Sequence, residues 1–427
     1  MKSVGTGGSD DAASISRRTM LQGAAGIAGL ASILVLGRAA GAAQAGEPAA
    51  RAVYDYPNKY LWDVKVPWDP APRDEPRTLR ERLPEAGKPT FDLERLISSP
   101  QGEALINNFA LYITKFTNSM EPGVLEYYAK LGKGLKKEMF GTGNERWSCY
   151  TPLSMYKPAG KGRKYPLMII VHGGTGQIEF EEANGFLRLA ARDEVMVIAP
   201  MNQEENNMLR ILSELKSKYP VDEGRVYAMG YSNGGSHTNL MTTMRPDLFA
   251  AAAPSPRPFV LLGSDEQNLA YFSNEAIENF RKYTLPMICV GGLEEYNYYY
   301  PINQDPAEVK TNTAVTAKLK IELVRRRLRM MRCRVPEAEE FYATAKSDDI
   351  AKRNMGVPFD RTSGQTILGL KHWIGDFKND DGDYYFRMVC IENMPHFLHP
   401  TTPDLIWSFI RRFARDPRTK KLIVARS

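Results

Sequence analysis

The sequence predicts an α/β protein, a mainly parallel sheet covered by helices on both faces. Apolar runs long enough for strands buried on both faces recur along the second two-thirds of the chain. Helical stretches separate them, and that alternation is the pattern of βαβ units. The 427 residues are 43% hydrophobic, 10% aromatic and 25% charged, ordinary for a folded domain and far from collagen-like or low-complexity chains.

The first run is Tyr165 to Val171, followed by Glu194 to Ala199, Arg225 to Met229, Leu285 to Val290 and Tyr384 to Ile391. Asn207 to Tyr219 and Ser236 to Arg245 read as helices between them. Ahead of this region, residues 46–90 are rich in Pro, Arg and Asp and read as an extended arm. From Phe91 to Phe140 the apolar spacing is helical, with Leu105, Phe109, Ile113 and Phe116 three or four apart. The expected organisation is therefore a leader over 1–45, an extended and helical segment over 46–144, and a catalytic domain over 145–427. A helical or irregular insertion occupies about 300–365 of that domain.

The leader has its own signature. Ser16-Arg17-Arg18-Thr19-Met20-Leu21 opens a Gly/Ala-rich apolar run to Leu36, and Ala43-Gln44-Ala45 offers a small-x-small cleavage site. A twin-arginine pair before such a run predicts export by the Tat route, to the periplasm or beyond. The run also fits an anchor that is never cleaved, although about 16 glycine-broken residues are short for a span of about 20. Net charge is +6, of which Lys2, Arg17, Arg18 and Arg38 against Asp10 and Asp11 supply +2. The remaining +4 is too small and scattered for nucleic-acid binding. Oligomeric state leaves no mark on the sequence.

Cys149, Cys289, Cys333 and Cys390 form no C-x-x-C pair. An oxidising destination permits a disulfide, with three pairings open, while Cys289 and Cys390 read as buried thiols. Ala317 to Arg334 reads as a covering helix, with Ile321, Val324, Leu328 and Met331 inward and Arg325, Arg326, Arg329 and Arg332 outward. Peripheral contact with an anionic envelope surface is the alternative use of that basic face. Asn379-Asp380-Asp381-Gly382-Asp383 lacks the spacing and distal Glu of a calcium loop and reads as a hairpin turn.

One motif carries chemistry. Gly230-Tyr231-Ser232-Asn233-Gly234 fits G-x-S-x-G, which a chain of this length matches by chance about one time in seven. Here it follows a strand and precedes a helix, the setting of a nucleophile elbow. Ser232 is thus the candidate nucleophile, with the backbone N–H of Asn233 as one oxyanion donor. Val171-His172-Gly173-Gly174-Thr175-Gly176 follows an earlier strand, where the N–H of Gly174 is the second candidate donor. His172 is expected to brace that loop rather than to take a proton.

A serine alcohol needs a base. Of five histidines, His237 lies on the helix after the elbow and His372 within a strand-like stretch. His396, on the loop after the last strand, is the candidate base, with His399 its rival. A metal pair from those two lacks an evident third ligand, and the chemistry requires no cofactor. The acid should follow the strand Leu285 to Val290, which points to Glu294, with Glu295 or an Asp elsewhere left open. Thr175, Tyr231 and Tyr296 adjoin these groups as candidate substrate contacts. Tyr296, Tyr298, Tyr299 and Tyr300 either line an aromatic pocket or form a surface loop.

Tyr219 to Gly235, with Arg245-Pro246-Asp247-Leu248-Phe249-Ala250-Ala251-Ala252-Ala253-Pro254 and the His-Gly-Gly loop, resembles secreted polyhydroxybutyrate-depolymerase-like and feruloyl-esterase-like α/β-hydrolases. The resemblance covers about residues 145–415. It implies an α/β-hydrolase fold, Ser232 as nucleophile, His396 as base and donors at Gly174 and Asn233. It also implies a small-molecule or polymeric ester substrate of aromatic, plant-derived or hydroxyalkanoate type. The family usually has Asp where Glu294 stands, and residues 46–140 fall outside the match.

Overall fold

The computed structural model describes residues 129–130, 132–173, 185–257, 274–293, 300–303, 317–367, 370–392, 398 and 402–425. The leader and nearly all of the N-terminal segment lie outside these residues. The strands are β1 (Leu135–Phe140), β2 (Trp147–Pro152), β3 (Tyr165–Val171), β4 (Met196–Pro200), β5 (Val221–Tyr231), β6 (Ala251–Ser255) and β7 (Met287–Gly292). They continue with β8 (Arg361–Ile367), β9 (Leu370–Lys378), β10 (Tyr384–Ile391), β11 (Phe413–Arg415) and β12 (Leu422–Val424). The helices are α1 (Leu187–Asp193), α2 (Glu205–Lys218), α3 (Asn233–Met244), α4 (Asn274–Lys282), α5 (Ala317–Met330), α6 (Ala338–Ala343), α7 (Ile350–Met355) and α8 (Thr402–Ile410).

The first ten strands form one sheet in the order β1-β2-β4-β3-β5-β6-β7-β10-β9-β8. From β4 through β10 along this order the strands run parallel, and an antiparallel pair flanks them on each side. The continuous apolar runs lie in the middle because a strand covered by helices on both faces needs apolar side chains on both. Every residue of β3 is buried. The α2 helix covers the sheet with Met208, Ile211, Leu212 and Leu215, spaced three and four apart on one stripe.

Three elements differ from the sequence reading. Leu135–Phe140, read with the helical stretch before it, is an edge strand paired antiparallel with β2, and Phe140 stacks on Trp147 at 4.3 Å. Gly141 makes the turn at φ +68, where a Cβ would lie 2.4 Å from the Glu145 carbonyl. Ala251–Ser255 is a fully buried strand that its alanines had hidden. The insertion, expected to be helical or irregular to about residue 365, ends in β8, which pairs with β9 as a hairpin on the sheet edge.

Buried charges tie these pieces together. Asp376 on β9 is 2% exposed and receives Arg361 of β8 at 2.6 Å and Arg387 of β10 at 2.7 Å, a ladder across three strands. Arg327 is fully buried on α5, donating to Asn239 and Thr243 of α3 and lying 5.7 Å from the Phe280 ring centre. Burial pushes its pKa down to about 9. The helix stops at Met330, short of the expected Arg334; on it Arg325 and Arg326 meet Glu322, and just beyond it Arg332 meets Asp380. Asn379–Asp383 is the β9–β10 hairpin turn, closed by the Asn379 N–H on the Asp383 carbonyl at 2.8 Å.

The disulfide that export would permit is not formed. All four cysteines are free and buried. Burial raises the Cys149 thiol to about 12 and also pushes Cys333 upward. The native protein should therefore leave all four thiols unreacted with Ellman's reagent at pH 8 and expose four in guanidinium. Dithiothreitol should leave the unfolding midpoint unchanged.

Arg415 on β11 gathers the chain at the amino ends of β6 and β7. Its guanidinium donates to the carbonyls of Phe249 at 2.7 Å, Tyr283 at 3.0 Å, Thr284 at 2.7 Å and Lys420 at 2.6 Å. Burial lowers its pKa to about 10. Removing it strands several carbonyls at once, so Arg415→Ala should lose about 2–4 kcal/mol in urea unfolding. Arg415→Lys should recover only part of that loss, because one ammonium cannot reach all four acceptors.

Candidate active site

The order of the central strands fixes where a ligand can bind. The chain leaves β3 for β4 on one side and returns to β5 on the other, so a crevice opens between β3 and β5 at their carboxyl ends. Val171 and Gly230 are partners in the ladder. His172 and Gly173 after Val171 and the Ser232 turn after Tyr231 therefore leave the sheet side by side.

Ser232 sits between β5 and α3 with φ +57° and ψ −119°, a backbone conformation that disfavours any side chain. Its N–H donates to the Ser255 carbonyl at 2.8 Å, and its carbonyl accepts the Ser236 N–H at 3.2 Å. Ser255 is itself fixed, because its hydroxyl accepts the Val290 N–H at 3.0 Å. Glycines make room around the turn. A Cβ at Gly230 would lie 2.1 Å from the Gly234 carbonyl, and one at Gly234 would lie 2.1 Å from that of Val171.

Asn233 opens α3, so its backbone N–H has no intrahelical acceptor and lies at the positive end of the helix dipole. The Asn233 side chain donates to Gln203 Oε1 at 2.7 Å. Gln203 Nε2 donates to the carbonyls of His172 and Gly173, the latter at 3.1 Å, and lies 2.6 Å from His172 Nδ1. His172 Nε2 meets the Met201 carbonyl at 2.9 Å. His172 is thus a brace of the loop after β3, as expected. Gln203 escaped the sequence reading, since a polar residue between a strand and a helix carries no pattern.

The other described histidines are engaged elsewhere. His237 Nδ1 pairs with Glu205 of α2 at 2.8 Å. His372 is buried on β9 opposite Ile391. Between β5 and β9 the sheet steps through β6, β7 and β10, about 19 Å at a strand spacing near 4.8 Å, too far for His372 to serve Ser232. Gly174, Thr175, Glu294, Glu295, Tyr296, Tyr298, Tyr299, His396 and His399 lie outside the described residues. The strands that lead to them are adjacent: β7 and β10 pair in parallel, and the Leu293 N–H donates to the Ile391 carbonyl at 2.8 Å. Tyr231 is 5% exposed and packs in the core. Tyr300 is buried too, its hydroxyl 3.7 Å from Cys289 Sγ. Glu392, one residue past β10, is a buried carboxylate that accepts the Trp373 indole N–H at 2.7 Å.

Residues 202–301 match the prolyl oligopeptidase family, a stretch that holds the elbow, β6 and β7. With the strand order and the left-handed serine at its centre, this decides the fold. The chain carries an α/β-hydrolase domain. It is similar to the poly(3-hydroxyalkanoate) depolymerase C of Paucimonas lemoignei, 29% identical over 126 residues, 24% of this chain and 30% of that protein. The match thus spans under a third of the curated relative's length. Among solved structures, the acetyl xylan esterase from Aspergillus awamori is 13% identical over 65% of this chain and 99% of that one, with a TM-score of 0.38. A feruloyl esterase module from Clostridium thermocellum, solved as an S954A mutant with sinapinate, is 13% identical. It covers 65% of this chain and 86% of that one at a TM-score of 0.37. The likeness to depolymerases read from the α/β-hydrolase elbow is borne out.

Strain at Ser232 gives the turn a measurable signature. A non-glycine residue held in such a conformation costs about 1–3 kcal/mol, while glycine adopts it freely. Ser232→Gly should therefore unfold about 1 kcal/mol later than Ser232→Ala in denaturant, with both variants inactive.

Proposed function

We propose that the protein is an exported serine hydrolase that cleaves carboxylic esters. Ser232 attacks the ester carbonyl while His396 takes its proton, and Glu294 orients the imidazole and steadies its positive charge. The backbone N–H groups of Gly174 and Asn233 bind the oxyanion of the tetrahedral intermediate; losing one such donor costs about 100-fold or more in turnover. Collapse of the intermediate releases the alcohol, protonated by His396, and leaves an acyl group on Ser232. Water, activated by the same histidine, then frees the acid.

The observation that carries this reading is the strained Ser232 at the β5–α3 turn, beside the start of α3 and His172 and Gly173. The parallel pairing of β7 with β10 supports the acid and base assignments, since both loops leave neighbouring strand ends. The substrate class follows the depolymerase and feruloyl esterase likenesses: a hydroxyalkanoate or aromatic ester, small or polymeric. The twin-arginine leader supports export. The basic face of α5 is a candidate for peripheral contact with the envelope.

A second reading has its own support. The match over residues 202–301 is to a peptidase family, and the same three residues hydrolyse amides or transfer acyl groups. Matched ester and anilide substrates separate the two. Faster turnover of p-nitrophenyl butyrate than of peptide p-nitroanilides is expected, and the reverse order would make the protein a peptidase.

Covalent labelling tests the core of the proposal. A fluorophosphonate should add one adduct to Ser232, located by peptide mapping. Ser232→Ala should abolish the adduct and His396→Ala should slow it at least 100-fold. A folded protein that takes no label would instead be a binding protein on a hydrolase scaffold.

A further inference from the structure

Gln203 lies between β4 and α2, with the two ends of its carboxamide committed to different elements. Its oxygen accepts from the Asn233 side chain at 2.7 Å, at the start of α3. Its nitrogen donates to the carbonyls of His172 and Gly173, at the start of the loop after β3. Two backbone carbonyls can only accept, which settles the end of the amide that carries nitrogen. His172 packs into the same cluster, its Nε2 2.9 Å from the Met201 carbonyl and its Nδ1 2.6 Å from both the Gly173 carbonyl and Gln203 Nε2.

We propose that Gln203 is a positioning residue for the oxyanion site, holding both of its backbone donors in one register. The inference rests on the serine hydrolase reading above. A planar trans peptide points its N–H opposite to its carbonyl. Holding the Gly173 carbonyl therefore sets the direction of the N–H that follows it, the candidate donor of Gly174. At its other end the clamp grips the residue whose own N–H is the second donor. Such donors act only when aimed at the place the oxyanion will occupy, and displacements near 0.5 Å are costly. Glutamine suits this role because one side chain carries both an acceptor and a donor. Glutamate would set a negative oxygen against two carbonyls, and methionine would fill the space with neither function.

The test compares Gln203→Met, Gln203→Glu, Asn233→Ala and the Gln203→Met/Asn233→Ala pair in the whole protein. The readouts are kcat and KM on p-nitrophenyl butyrate, and affinity for an alkylboronic acid, which mimics the tetrahedral intermediate on Ser232. Gln203→Met should lose about 10–100-fold in kcat with KM within about threefold, and boronate affinity should fall by the same factor. Asn233→Ala keeps its backbone N–H and should show a smaller loss of the same kind. The double variant should be no worse than Gln203→Met, because both changes break one clamp. A Gln203→Met protein with a native unfolding midpoint, kcat within twofold of wild type and unchanged boronate affinity overturns the proposal. Losses in KM and midpoint alone would reduce Gln203 to a structural residue and overturn it as well. If Gln203→Met does not fold, Asn233→Ala decides by the same criterion. Wild-type protein that takes no fluorophosphonate removes the hydrolase reading and this inference together. Label on Ser232 at equal rates in wild type and variants, with equal kcat, removes the inference alone.

Discussion

The Ser232 turn depends on how closely the first turn of α3 is pressed against the carboxyl ends of its neighbouring strands. A side chain on Gly234 would lie 2.1 Å from the Val171 carbonyl and 2.3 Å from that of His172, and one on Gly235 would lie 2.6 Å from that of Ser255. No other residue type fits these gaps without moving backbone. That contact brings the helix N-terminus, the loop after β3 and the turn itself into one small volume. Strain at Ser232 persists because the Ser255 carbonyl and the following helix hold it from both sides.

Much of this was legible in the sequence, for identifiable reasons. β3 announced itself as an unbroken apolar run and β10 as one interrupted only by Arg387, both with the observed bounds, and the elbow as glycines at fixed spacing after a strand. β6 was hidden because alanine carries little strand preference. β8, Arg-Thr-Ser-Gly-Gln-Thr-Ile, was hidden because it lies at the sheet edge, where polar side chains are tolerated. β1 was absorbed into the preceding helical pattern because its six residues are too few to establish a period of their own. Gln203 shows the limit more sharply. Its role comes from a crossing of three chain segments, and no local pattern encodes such a crossing.

Arg327 left a trace that could have been read. It falls three residues after Val324 and four before Met331, within the apolar stripe of α5 rather than on the charged face. A cation placed there must find polar partners inside, and it finds them in Asn239 and Thr243 on α3. The insertion is thereby fastened to α3, while Asp376 and its two arginines fasten the hairpin that ends the insertion to β10. Buried charge in this protein joins elements that are distant in sequence, where apolar packing alone would leave their register loose.

Residues 293–383 separate β7 from β10, yet these two strands lie side by side and in parallel, as they would if a short crossover joined them. The excursion leaves and rejoins the sheet without displacing either strand. Lengthening a loop whose ends are already fixed adds little further entropic cost, about 0.6 kcal/mol per doubling. Selection can therefore rebuild this part of the chain, changing its helices or the tip of its hairpin, while the pairing between the two strands stays as it is. The domain separates an inherited scaffold from a region free to diverge, and relatives can come to differ in what they accept without reinventing how they react.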